Sequence, residues 1–206
     1  MESAMACGRL AGPSMAASPM LRLQDALAAR LRRPSMPQLR ALLRPGPGLR
    51  LLDLGGGTGL VAELLDGPWA EVVVFEPDAR KVAYGRARRP GLRFVEGLAE
   101  QLPFPDAAFD RAMALVSLHH MHDQPAALRE VRRVLRPGAV LVLHELDPTQ
   151  KLTRHLRWLE HRVHGPGATH FVGPAELRAM LDAAGFRAVE GHAAPRGYFV
   201  AAESPP

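Results

Sequence analysis

The stretch Leu51-Leu52-Asp53-Leu54-Gly55-Gly56-Gly57-Thr58-Gly59 constrains the fold more than any other part of the chain. A short apolar run that ends in glycines at alternate positions and leads into a helix-period segment is a buried strand turning sharply into a helix. The alternation continues downstream. Apolar runs at Leu49–Leu54, Glu71–Phe75, Leu92–Val95, Arg111–Val116 and Ala139–Leu146 are separated by helix-period segments at Gly59–Leu65, Asp78–Arg88 and Gln124–Leu135. Strands of this kind alternating with helices predict βα units around a mostly parallel sheet covered on both faces. Arg136-Pro137-Gly138 reads as a tight turn into the fifth strand, because Pro presets φ and Gly accepts positive φ. A polar helix over Thr149–Val163, a Gly/Pro loop, a helix over Pro174–Ala184 closed by Gly185, and strands at Phe186–Glu190 and Gly197–Ala202 complete the expected order.

Ahead of this region the pattern changes. Residues 1–20 are rich in small residues and Pro and have no period, so they read as a disordered leader. Residues 21–46 read as a helical lid. Leu23, Leu27 and Leu31 form an apolar stripe, with Arg22 and Arg30 facing water, and Pro34 stops the first helix. A second short helix starts at Ser35 and carries Leu39, Leu42 and Leu43 up to Pro45-Gly46. Residues 47–206 are then one domain, which suits a chain of 206 residues.

Charge and cysteine content bound the function. The chain carries +5, which by itself invites a polyanionic partner. Residues 1–50, however, hold eight arginines against Glu2 and Asp25, which leaves the rest of the chain at −1. The Arg-rich part has almost no aromatic residues for stacking bases, which argues against nucleic acid. One cysteine, Cys7, builds neither a disulfide nor a thiolate metal site, and a reducing, cytoplasmic setting is the expectation. No apolar run approaches the ~20 residues of a membrane span.

The glycine turn suggests a nucleotide-type ligand. A dinucleotide fingerprint asks for Gly-x-Gly-x-x-Gly, whereas Leu60 follows Gly59 and the spacing here is Gly-x-Gly-x-Gly. Asp53, just before the glycines, is an acceptor where a cationic amine can sit. Glu76 ends the second strand, 17 residues beyond Gly59, where a carboxylate can accept both hydroxyls of a ribose.

Asp53 to Gly59, Glu76, Gly97-Leu98-Ala99-Glu100-Gln101-Leu102-Pro103-Phe104, Phe109-Asp110 leading to Ser117-Leu118-His119-His120, and Leu135-Arg136-Pro137-Gly138 together resemble the class I S-adenosylmethionine-dependent methyltransferases. Within that class they are most similar to the branch with the ubiquinone and menaquinone biosynthesis methyltransferases. The likeness covers about residues 49–146, and Phe171–Phe186 is similar to the branch's last helix.

The resemblance implies an α/β fold: a Rossmann-like, seven-stranded, mostly parallel sheet with helices on both faces and a short helical N-terminal lid. It also implies S-adenosylmethionine as methyl donor and S-adenosylhomocysteine as product. Asp53 and the turn Gly55, Gly56, Gly57, Thr58 and Gly59 would face the amino-acid end of the cofactor. Glu76 with Pro77 would face the ribose, Leu98, Ala99 and Glu100 the adenine, and Ser117 the methyl group. Many members carry Asp where this chain has Leu98, so the adenine amino group loses one acceptor here.

Methyl transfer is an in-line displacement in which positioning and water exclusion supply much of the rate. Where the nucleophile must lose a proton, His119 and His120 after the fourth strand and His144 with Glu145 near the end of the fifth are the candidate bases. Packing or capping roles are the alternative for each. His119, His120 and His122 share one short loop, a poor arrangement for a single metal ion, and no metal is expected.

The first helices and Gln150–Phe171, with His155, Trp158, His161, His164, His170 and Phe171, are the candidate acceptor walls, although Leu152, Leu156, Leu159 and Val163 also form an ordinary amphipathic face. The expected acceptor is a small molecule methylated on oxygen or carbon. An RNA or protein methyltransferase, a non-catalytic cofactor-binding partner protein and a nicotinamide oxidoreductase are the alternatives.

Overall fold

The computed structural model describes residues 19–151, 153–155, 158, 162, 169–194 and 197–206. The expected leader, apart from Pro19 and Met20, lies outside them, as do much of the expected helix over 149–163, including Leu152, Leu156, Leu159, His161 and Val163, and His164 just after it.

Among the described residues seven strands form one sheet: β1 Arg50–Leu54, β2 Glu71–Glu76, β3 Arg93–Glu96, β4 Phe109–Leu115, β5 Leu135–Glu145, β6 Arg187–Ala194 and β7 Gly197–Glu203, in the spatial order β3-β2-β1-β4-β5-β7-β6. β1 to β5 are parallel to one another, whereas β7 pairs antiparallel with both β5 and β6. The described helices are α1 Pro19–Arg32, α2 Met36–Leu43, α3 Leu60–Leu65, α4 Ala79–Arg88, α5 Gln124–Val134 and α6 Pro174–Ala183.

Alternation along the strands sorts the core onto two faces. Leu52, Leu54, Val73 and Phe75 pack with Leu128 and Val131 of α5 and Leu177 and Leu181 of α6. Leu51, Val72 and Val74 pack on the other face with Leu39 and Leu43 of α2, Leu65 of α3 and Val82 of α4. Asp53 occupies the same alternating position as Leu51, so a carboxylate stands at the tip of that second face, next to the N-terminal helices.

The structure revises the sequence reading in three places. Pro19 and Met20 belong to α1 and not to the leader, since Pro is tolerated in the first turn of a helix. Arg136-Pro137-Gly138 is a bulge inside β5 instead of a turn before it: Leu135 already pairs with Phe109, and pairing resumes at Arg111 with Val140. Gly138 supplies the positive φ, and its N–H donates to Ser204 O at 2.7 Å. The third revision concerns the leucine stripe of α1. Leu23 and Leu27 are 71% and 56% exposed, and the helix docks through Leu21, Asp25 and Arg32.

Candidate functional site

β1 pairs with β2 on one side and β4 on the other, while the chain passes through β2 and β3 before returning to β4. That reversal leaves a crevice beyond the carboxyl ends of β1 and β4, the place where open α/β sheets bind ligands. A cleft of about 690 Å³ opens there, lined among others by Gly55, Glu76, Pro77, Leu98, Ala99, Glu100, Val116, Ser117, His120 and Thr169.

The glycine turn is held down on its own protein. A Cβ on Gly55 would lie 2.6 Å from Ser117 Cβ, and one on Gly56 would lie 2.5 Å from the Asp53 carboxyl carbon. These two glycines are thus explained by close packing on Ser117 and Asp53. Gly57 differs, with a φ of +61° and open space where a side chain would stand. Gly56, Gly57, Thr58 and Gly59 do not line the cleft wall, and neither does Asp53.

Asp53 lies beneath the turn, 2% exposed, and its Oδ2 has no hydrogen-bond partner among the described residues. Desolvation, reinforced by the charge of Glu76 and opposed by Arg32, pushes its carboxyl up to about 7. A buried carboxylate with an unpaired oxygen is costly, and a cation placed beside it removes that cost. At the end of the neighbouring strand Glu76 is braced differently. Its Oε2 accepts from Gly57 N–H at 3.0 Å and its Oε1 from Asp78 N–H at 3.2 Å, with Lys81 Nζ 3.4 Å from Oε1. These bonds fix the carboxylate at the cleft edge. Leu98, 55% exposed, stands on the same wall as an apolar face. Glu100 Oε1 accepts from the N–H groups of His122 and Asp123, so it ties the β4–α5 loop to the wall.

Past β4 the backbone is strained. Val116 has a φ of +55°, rare for a β-branched residue, and lines the cleft. Ser117 follows, its Oγ donating to Leu54 O at 2.9 Å, and then a 3-10 turn over Leu118–His120. Glu145 organises that turn. Its Oε1 accepts from Ser117 N–H and Leu118 N–H at 3.1 and 2.9 Å, and its Oε2 lies 2.7 Å from His119 Nδ1.

The three candidate histidines separate accordingly. His119 is buried, paired to Glu145 and stacked on Phe171 with centroids 4.2 Å apart. His120 reaches the cleft and stands 4.1 Å, centroid to centroid, from the His119 ring. His144 is buried against Phe199, and its Nδ1 lies 3.3 Å from Arg32 Nη1. Because a guanidinium only donates, Nδ1 must be the acceptor and the proton sits on Nε2. Burial, aided by Arg32, lowers its pKa to about 4. Among the described residues no group of three or more His, Cys, Asp or Glu is arranged to hold a metal ion.

On the expected acceptor wall, Trp158 is 53% exposed and stacks with His155, and it does not line the cleft. His170 Nε2 lies 3.0 Å from Glu176 Oε1, and Phe171 covers His119.

Two site residues escaped the sequence reading. Thr169, 8% exposed with an Oγ1 that has no partner among the described residues, lines the cleft after a segment without usable periodicity. Arg32 reaches the ends of β4 and β5 from α1. Its only sequence signal is the spacing Leu21, Asp25, Ala28, Arg32, a second helical stripe opposite the leucines.

The chain is similar to known methyltransferases. The family described as methyltransferase domain matches residues 52–143. The ubiquinone biosynthesis O-methyltransferase of Azorhizobium caulinodans is 34% identical over 164 residues, 72% of this chain and 62% of that protein. The demethylmenaquinone methyltransferase of Thermus thermophilus is 36% identical over 162 residues, 66% of this chain and 74% of that protein. The chain therefore spans less than two thirds of the first relative. Among solved structures, a methyltransferase from Thermotoga maritima aligns with a TM-score of 0.72 at 22% identity, covering 92% of this chain and 97% of its own. The (4+2) cyclase SpnF aligns with a TM-score of 0.69 at 23% identity, covering 82% of this chain and 80% of its own. The fold thus hosts more than one reaction, and activity depends on the residues of the site.

Proposed function

This chain belongs to the methyltransferase family, and from that premise we propose that it binds S-adenosylmethionine in the cleft beyond β1 and β4 and methylates a small, quinone-type ring acceptor on oxygen or carbon. The observation that carries the reading is Asp53, a buried carboxylate with an unpaired oxygen directly under the glycine turn and one strand from the braced Glu76. The donor set suits the cofactor: Asp53 answers an ammonium, Glu76 a pair of vicinal hydroxyls, and the exposed Leu98 face with Ala99 a flat heterocycle. When bound, the cofactor supplies a methyl group on a sulfonium carbon. The acceptor class follows the names of the two relatives.

The chain's own part is positioning. Strained Val116 and the Glu145-braced turn hold Ser117 and His120 at the cleft, where an acceptor oxygen must be aligned and water kept out. His120 is the proton acceptor for a ring hydroxyl, because of the three histidines it alone lines the cleft. His119 positions it: with Nδ1–H donated to Glu145, its ring is locked behind that of His120. His144, with Nδ1 taken by Arg32, has no lone pair to offer a proton.

Calorimetric titration with S-adenosylhomocysteine tests the reading. The wild-type chain binds, and Asp53→Ala weakens binding 100-fold or more while the variant stays folded by circular dichroism. Unchanged affinity in folded Asp53→Ala overturns the cofactor assignment.

A further inference from the structure

We infer that the outward face of helix α1 docks on an anionic lipid surface, with Met20, Leu23, Leu27 and Leu31 entering the interface and Arg22 and Arg30 meeting the headgroups. The face lies outside the cleft and does not depend on what the cleft binds.

Two rows run side by side along α1. Leu23, Leu27 and Leu31 form the first, with Met20 on the same side, and all four side chains are exposed. Elsewhere among the described residues the exposed large apolar side chains are Leu98, which belongs to the cleft wall, and Trp158. Single exposed leucines are ordinary, but a contiguous row of them marks a contact surface. Arg22, Ala26 and Arg30 form the second row, also exposed, about 100° round the helix from the first.

The seating of α1 keeps these rows turned away from the sheet. On the opposite side of the helix Leu21 is buried, Asp25 pairs with Arg89 at 2.8 Å, and Arg32 reaches His144 and Leu115. None of the four outward apolar side chains lines the cleft.

Charge selects the occupant. Residues 19–44 hold six arginines against one acid, Asp25, and that acid is taken by Arg89 on the inward side. Arg22, Arg30 and Arg33 are exposed, and no ion pair among the described residues engages them. A second copy of the chain would set one arginine row against another with no acid on the face to answer it. A nucleic acid would meet the arginines but leave the aliphatic row in water, since stacking on bases takes aromatic side chains. A bilayer with anionic headgroups satisfies both rows at once. The leucines enter the acyl boundary, and the guanidiniums reach the phosphates on their long stems. Lying flat, the 14 residues of α1 present this face over about 21 Å.

Cosedimentation of the full chain with vesicles tests the inference. Vesicles of equimolar phosphatidylglycerol and phosphatidylcholine are expected to bind the chain about 10-fold or more tightly than phosphatidylcholine alone, and the difference shrinks as salt is added. Replacing Leu23 and Leu27 together by Ser lowers binding to the anionic vesicles about 10-fold or more. That variant stays folded by circular dichroism, because both side chains are already in water. Arg22→Ser combined with Arg30→Ser removes the preference for anionic lipid. Arg129→Ser, an exposed position on α5 over the other face of the sheet, leaves binding unchanged.

Failure of the wild-type chain to bind the anionic vesicles overturns the inference without any variant having to fold, and leaves the face to a protein partner. Undiminished binding in the folded leucine variant also overturns it, since basic charge alone would then account for the attraction, and so does an equal loss in Arg129→Ser. Self-association in sedimentation velocity that the leucine variant abolishes, with no vesicle binding, overturns it in favour of a contact between copies.

Discussion

Helices α1 and α2 are joined by one 3-10 turn over Arg33–Ser35, yet they dock on the sheet by opposite means. α2 inserts Leu39 and Leu43, 1% and 0% exposed, among Leu51, Leu65 and Val74. α1 leaves Met20, Leu23, Leu27 and Leu31 in water and attaches through Asp25, Arg32 and Leu21. Arg89 explains the difference. It is 7% exposed, and its guanidinium is met by Asp25 and Glu63. Leaving such a cation without its partner costs about 3–5 kcal/mol, comparable with what burying two leucines gains. An apolar stripe therefore faces inward only when no partner elsewhere has a stronger claim on the opposite face.

Truncating leucines breaks this comparison most directly. Leu43→Ala is expected to cost about 2–5 kcal/mol in urea denaturation, because it leaves a cavity against Leu65 and Val74. A loss below about 1 kcal/mol would erase the contrast.

Arg89→Met comes next, at about 1–3 kcal/mol, from the carboxylate of Asp25, whose side chain is only 14% exposed. Limited trypsin digestion should then cut faster after Arg22 and Arg30, and unaltered cleavage would mean that α1 is seated by something other than its charges.

The electrostatic half of the comparison is read from pH. Asp53, pushed up to about 7, makes the folded chain bind more protons than the unfolded one between about pH 4 and 7, so its contribution to stability falls as pH rises. His144, lowered to about 4, acts with the opposite sign between about pH 4 and 6.5. Relative to wild type, Asp53→Asn should gain stability with rising pH across its window, by up to about 1.4 kcal/mol per pH unit, and His144→Asn should lose it. Parallel curves for both variants would contradict these environments.

The smallest effect belongs to Leu27→Ser, expected to stay within about 0.5 kcal/mol because the side chain it replaces is already in water. A larger loss would show that the stripe of α1 is covered.

Much of the candidate site was legible because it depends on local pattern. The strand into Gly55–Gly59 and the carboxylate ending β2 are written in adjacent residues, and the strands lie within a few positions of where alternation places them. Arg32 was not legible, since its nearest partner, His144, is 112 residues away and nothing on α1 ranks its polar stripe above its leucine stripe. Nor could spacing show that His119 is turned from the cleft toward Glu145 while its neighbour His120 enters it.

The sequence by itself determined the alternation of strands and helices and the glycine turn after the first strand, because these follow from periodicity and backbone sterics over short stretches. Tertiary structure alone decided the strand order that opens the crevice, which carboxylate keeps an oxygen unpaired, which candidate histidine lines the cleft and which face of α1 meets the sheet. Desolvation and pairing belong to the neighbours a side chain acquires on folding, and those neighbours come from strands and helices far apart in the chain.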